Sequence, residues 1–264
     1  MLLQFYKYQG TGNDFIMIDN RHHNLQLQPE QIQDLCSRRF GIGADGLILL
    51  ELEPGVDFKM VYFNSDGRPS SMCGNGGRCI TAFAHHLGLI REKTKFLAID
   101  GLHEAEILDN AQVALKMCDV KSIEKNDDLY FLNTGSPHVV KFVTNVREYP
   151  VLEEARKIRY SPRFSEEGTN VNFIERSDDG LFVRTYERGV EDETYSCGTG
   201  VTASALVAAL EGVSDNRNAC RILTLGGGLE VKFEKVLEQN FYNIWLIGPA
   251  EYVFRGEMQH QSDK

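Results

Sequence analysis

Several things are missing from this chain, and each absence removes a class of function. No two cysteines stand in a CxxC pair, and Cys73 and Cys79 are the closest two, so neither zinc-ribbon nor thioredoxin-like spacing is present and no metal is expected. No window reaches the roughly 18 uninterrupted apolar residues of a membrane span. The N-terminus MLLQFYKYQG lacks a basic segment followed by an apolar one, so the expected compartment is the cytoplasm. A basic patch interleaved with aromatics is also lacking. The chain carries 28 Lys and Arg against 38 Asp and Glu, net charge −10, which argues against nucleic acid and membrane partners. No lysine sits in a motif that suggests a pyridoxal Schiff base. The one GxGxxG match, GIGADG, follows the helical pattern PEQIQDLCSRR and precedes strand-like LILLE, the reverse of a dinucleotide site. No cofactor is therefore expected.

What is present supports an ordinary globular protein. With 264 residues and 42% hydrophobic content, the chain can bury one or two cores without disulfides or metal. The six cysteines are expected as thiols, with Cys36, Cys79, Cys118 and Cys220 structural. Short β-branched or aromatic runs recur, among them FIMID, LILLE, FKMVYF, VNFIE, LFVRTYE, LEVKF and YNIWLIG, and read as strands. The clearest helices follow Cys73 and Cys197. In the first, Ile80, Phe83, Ala84 and Leu87 share one face. The second, VTASALVAAL, is apolar nearly all round and must be buried.

These features occur twice. SMCGNGGRCITAFAHHLG matches YSCGTGVTASALVAALEG. Asn64 lies 9 residues before Cys73 and Glu187 lies 10 before Cys197; Gly43 and Gly168 stand 30 and 29 residues before, and Gly12 and Gly135 stand 61 and 62 before. Four landmarks in one register predict two homologous half-domains, 1–120 with Cys73 and 121–264 with Cys197, with KSIEKNDD as linker and the final strand able to return to the first half. The predicted fold is α+β, two pseudo-symmetric halves, each a mostly antiparallel sheet wrapped around a central helix.

A cysteine at a helix start meets unpaired N–H groups and a partial positive charge, which bind anions and favour thiolate. The glycines of each Cys-Gly-x-Gly turn let a carboxylate approach the backbone. Two such sites suit a two-base racemisation: a thiolate removes an α-proton from one face and a thiol returns a proton to the other. The helix N-termini would stabilise the carbanion-like transition state. Taken singly, either turn reads as a structural thiol; the register-matched pair favours chemistry.

GTGNDF, GIGADG, NSDGRPSSMCGNGGR, SPH, GTNVNF and YERGVEDETYSCGTG stand in the order found in the diaminopimelate epimerases, and nearly the whole chain resembles that family. The resemblance implies interconversion of LL- and meso-diaminopimelate without pyridoxal phosphate, in lysine and peptidoglycan precursor synthesis. By motif it implies Cys73 and Cys197 as the proton donor and acceptor, with His138 and Glu187 assisting. Gly74, Asn75, Gly198 and Thr199 would hold the reacting carboxylate. Asn13, Asn64, Asn170 and Arg188 would recognise the distal amino-acid head, Arg188 by a bidentate grip. Two departures bear on affinity: Ser136 stands where many members carry Asn, and Gly46 where some carry Gln.

Other readings remain open at this stage. A proline or hydroxyproline racemase-like enzyme resembles the same architecture, but its first motif typically has His at the place of Asn75 and it has no distal head for Arg188. A non-catalytic thiol or metal module needs none of the duplicated Asn and Glu-Arg positions. Asn13, Asn64 and Asn170 beside turn residues read equally as turn formers, His138 as a core histidine, and Glu187 with Arg188 as a solvated ion pair. GGG at 226–228 reads as a hairpin turn, and His85 and His86 as surface or packing residues. An exposed sheet edge permits a homodimer.

Overall fold

The computed structural model describes residues 2–259 apart from Asn24, Asp179, Asp215 and Glu238. Contacts divide the chain into two compact units, Met1–Leu115 with Pro249–Lys264, and Lys116–Gly248. The first carries strands β1 (Leu2–Gly10), β2 (Asn13–Asp19), β3 (Gly46–Glu51), β4 (Phe58–Asn64), β5 (Lys93–Ala98), β6 (Gly101–Ile107) and β7 (Val113–Lys116), with helices α1 (Pro29–Cys36) and α2 (Gly74–His86). The second carries β8 (Glu124–Asn126), β9 (Leu129–Asn133), β10 (Pro137–Phe142), helix α3 (Val151–Arg159), β11 (Asn170–Ser177), β12 (Gly180–Glu187), β13 (Asp192–Thr194), helix α4 (Gly198–Leu210), β14 (Ala219–Thr224), β15 (Gly227–Leu237) and β16 (Asn240–Gly248). The last strand, β17 (Glu251–Gln259), lies beside β1 and completes the first unit.

The duplication read from the sequence is present in the pairing. In the first unit the strand order is β17-β1-β2-β3-β4-β5-β6-β7, antiparallel except for the parallel pairs β2–β3 and β4–β5. In the second the order is β8-β9-β10-β11-β12-β14-β15-β16, again antiparallel except for β10–β11 and β12–β14. Strand β13 is an addition on β12. The fold is thus two pseudo-symmetric α+β units with mostly antiparallel sheets. Ladder registers also equate single positions: Phe15 faces Gly46 as His138 faces Asn170.

The strand period explains why the inner strands are apolar throughout. Ile16, Ile18, Leu47 and Leu49 cluster with Ile32, Leu35 and Cys36 of α1, and the alternate side chains turn to the opposite face. There Ile48 and Met60 lie against Gly76 of α2. Covered on both faces, β2 and β3 read as continuous hydrophobic runs. The second unit repeats this: Val171, Phe173, Phe182 and Tyr186 pack with Val151 and Ala155 of α3, while Asn172 points the other way, against Gly200 of α4. Helix α4 is buried at Gly198 and from Gly200 to Ala209, as its lack of a polar face requires. The supposed linker 121–128 instead contains β8, three exposed residues paired with β9, a polar edge strand of the kind that protects a sheet edge. GGG at 226–228 lies at the β14–β15 hairpin, where Thr224 faces Gly227.

Candidate active site

Each unit places a cysteine at the N-cap of its central helix. Cys73 caps α2 with an extended backbone, φ −102 and ψ 150, and its Sγ accepts from the Gly76 N–H at 3.2 Å. Helix α2 offers its first amides there, together with about half a positive charge from the helix dipole. Asn13, at the start of β2, brings Oδ1 to 4.0 Å from Cys73 Sγ and accepts from Asn75 Nδ2 at 3.3 Å. Its own Nδ2 donates to Asp45 at 2.8 Å, and Asp45 and Asp14 share Arg38. Burial pulls the Asp14 carboxyl up, but Arg38 and Lys7 outweigh it and hold it at about 2. The GTGND and GIGADG turns are thereby tied by charge, and Asn13 is held in one orientation.

Arg78 lies one turn into α2 and is fully buried. Its guanidinium donates to Asn75 Oδ1 at 3.0 Å, Gly74 O at 3.3 Å, Thr11 Oγ1 at 3.4 Å and Pro249 O at 3.2 Å. All four acceptors are neutral, and Arg78 makes no ion pair with a described carboxylate. Burial therefore pushes its pKa down to about 10, against the opposing influence of Cys79 and Cys73. A cation dehydrated without a carboxylate is costly. It leaves net positive potential behind the Asn75 amide and the first turn of α2.

Cys197 caps α4, and its Sγ lies 3.4 Å from Thr199 Oγ1. Thr199 Oγ1 lies 2.8 Å from His138 Nε2, and His138 Nδ1 lies 3.1 Å from Asn172 Nδ2. His138 has no exposed surface. Burial, and then the Arg188 charge, push its pKa down to about 3, so the ring is neutral at physiological pH. Gly200 lets this group sit against the helix, because a Cβ there would stand 2.3 Å from Asn172 Oδ1.

The remaining expected residues gather by half. Asn64 ends β4 opposite Gly46 and is half-buried. Gly74 and Asn75 form the first turn of α2, Gly198 and Thr199 that of α4. Asn170 begins β11: Nδ2 donates to Ser136 Oγ and Pro137 O, both at 2.9 Å, and Oδ1 accepts from the Arg188 N–H at 2.9 Å, leaving one lone pair on Oδ1. Ser136 thus anchors Asn170. Glu187 ends β12, and the neighbouring Arg188 is exposed, donating to Glu167 O at 2.8 Å and forming no ion pair among the described residues. Sequence reading passed over Arg78 and Asn172, although both lie inside motifs it used. The only signals were a lone charge in an apolar helix and a lone amide between Val171 and Phe173.

All six cysteines are thiols, and no group of three or more His, Cys, Asp and Glu gathers as a metal cluster among the described residues. No described helix is long and apolar enough to cross a membrane. Solved structures with this fold include a Bacillus anthracis protein of the PhzF phenazine biosynthesis family, TM-score 0.71, 14% identity, covering 98% of this chain and 100% of that one. A probable proline racemase from Agrobacterium radiobacter matches at TM-score 0.66 and 16% identity, over 98% and 93%. The family match and the curated relatives make the protein an isomerase, of the epimerase class. More narrowly, the chain belongs to the diaminopimelate epimerase family, whose model matches residues 5–123 and 130–253. The diaminopimelate epimerase of Flavobacterium psychrophilum is 54% identical over 96% of this chain and 98% of its own length. That of Chlorobaculum tepidum is 42% identical over 94% and 98%.

Proposed function

We propose that the protein interconverts LL- and meso-diaminopimelate without a cofactor, using Cys73 and Cys197 as the two acid/base groups. The observation that carries this is the repeated placement of a cysteine at the N-cap of a buried central helix, in a chain of this family. One thiolate removes the α-proton and the other thiol donates a proton to the opposite face, so inversion leaves the two sulfurs with exchanged protonation. The first-turn amides at Gly74, Asn75, Gly198 and Thr199 donate to the reacting carboxylate, where charge builds in the transition state. Arg188, free of any described carboxylate, grips the distal carboxylate bidentately, and Asn13, Asn64 and Asn170 complete the recognition of that head. Glu187 and His138 assist the thiols.

Such an enzyme serves lysine and peptidoglycan precursor synthesis in the cytoplasm. A homodimer through β17 is part of this reading, supported by exposed Tyr252, Val253 and Phe254 on that strand. The test is incubation of metal-stripped, reduced protein with LL-diaminopimelate in heavy water. Deuterium should enter the α-position as meso product accumulates, and both Cys73→Ala and Cys197→Ala should abolish it. No exchange with diaminopimelate but exchange with proline or hydroxyproline would replace the substrate assignment.

A further inference from the structure

Around Cys197 a chain of side chains outside the expected set has one self-consistent proton arrangement. Asn172 is the third residue of β11, with Nδ2 3.0 Å from the Val139 carbonyl and Oδ1 accepting from the Thr185 hydroxyl at 2.9 Å. A carbonyl only accepts, so the nitrogen of the amide must face Val139 O. The second hydrogen of the same NH2 group points to His138 Nδ1 at 3.1 Å, and Nδ1 must therefore accept. In a neutral imidazole the proton then belongs on Nε2, which donates to Thr199 Oγ1 at 2.8 Å. Having received that bond, the Thr199 hydroxyl directs its own hydrogen to Cys197 Sγ at 3.4 Å.

We propose that Asn172 is a positioning residue which locks His138 as the Nε2–H tautomer, so that Thr199 donates its hydroxyl hydrogen to Cys197. In the other tautomer Nδ1–H would meet Nδ2–H, and Nε2 would accept the Thr199 proton and take that donor away from the sulfur. Burial of His138 keeps the ring neutral and leaves tautomer choice as the remaining variable. The equivalent places in the first unit are Phe15 for His138 and Ile48 for Asn172, two residues beyond Gly46 as Asn172 is two beyond Asn170. Phe15 and Ile48 carry no polar atom from which to build the same relay, and Cys73 accepts a backbone N–H from Gly76. The two thiols are thus tuned by different hydrogen-bond donors.

The kinetic arm of the test rests on the epimerase reading; the spectroscopic arm does not. Full-length protein labelled with 15N-histidine should show one-bond 15N–1H coupling at Nε2 and not Nδ1 of His138, from about pH 5 to 8, the signal being assigned by its loss in His138→Gln. Asn172→Asp presents an acceptor to Nδ1 and should move the proton there. The same variant should slow Cys197 alkylation about tenfold and α-proton exchange about 10²-fold, with Cys73 alkylation unchanged. An Nδ1–H tautomer in the wild-type protein overturns the proposal even if no variant folds. So does an Asn172→Asp protein that keeps the Nε2 proton and wild-type Cys197 reactivity. Absence of exchange with every amino acid tried in the wild type, with the tautomer as expected, would reject the epimerase reading and leave the lock standing.

Discussion

His138 has a pKa of about 3 in the folded protein and about 6.5 when unfolded. Between these values the unfolded chain binds a proton that the folded chain does not. Its contribution is complete above about pH 6.5 and is lost as pH falls toward 3, at up to about 1.4 kcal/mol per pH unit. Urea midpoints from about pH 6.5 down to 4 should show this slope, and His138→Gln should flatten it. Asp14 does not mask the effect, because its stabilisation fades only between 3.8 and about 2. Arg78 carries a second prediction. Arg78→Met should slow Cys73 alkylation roughly tenfold, while Arg78→Lys should retain most of the rate if charge is what matters. Cys73 and Cys197 were legible in the sequence because glycines and a helical run repeat around both. Arg78 and Asn172 were not, because their importance lies in burial and in the orientation of an amide, neither of which a residue letter carries.

Among elements, the strands with strong alternating or continuous apolar pattern were plain in the sequence: LILLE is β3, FKMVYFN is β4 and LFVRTYE lies in β12. Helices α2 and α4 were equally visible from their apolar faces. The parallel pairs were not, because a strand has the same period whichever way its neighbour runs. Strand β8 was read as linker because Glu124, Lys125 and Asn126 carry no apolar residue, and only its ladder with β9 reveals it. Strand β17 supports a sharper expectation. It pairs with β1 from Leu2 to Gln9, and Phe254 meets Phe5 edge-on at 6.0 Å. A chain ending at Gly248 should lose amide-exchange protection in β1 and β2 while β10, β11 and α4 keep theirs. Uniform protection in both units would show that β17 contributes little to β1.

At the scale of the whole molecule the duplication was the most legible feature, since glycine and cysteine landmarks keep register over most of each half. The division of labour between copies was less so. One unit surrounds its cysteine with Asn13, Asn75 and a buried cation; the other uses Thr199, His138 and Asn172. Identical scaffolds carry unlike electrostatics because core positions tolerate exchange once their faces are covered, as Phe15 and His138 show.

The return of β17 to β1 also sets an order for folding during synthesis. Leu2 pairs with Gln259, so β1 acquires this neighbour only after β17 has been made. Closing so long a loop in an unstructured chain costs about 5 kcal/mol by length scaling alone, and such distant pairing is slow. Lys116–Gly248, by contrast, is continuous and emerges whole before β17 is made. Within it the Met117 N–H donates to Ile244 O at 2.9 Å, so the segment's two ends meet as it folds. Once Met117 and Ile244 are held together, the loop that separates β1 from β17 is effectively shortened by the length of that segment, and the entropic search for their pairing shrinks with it.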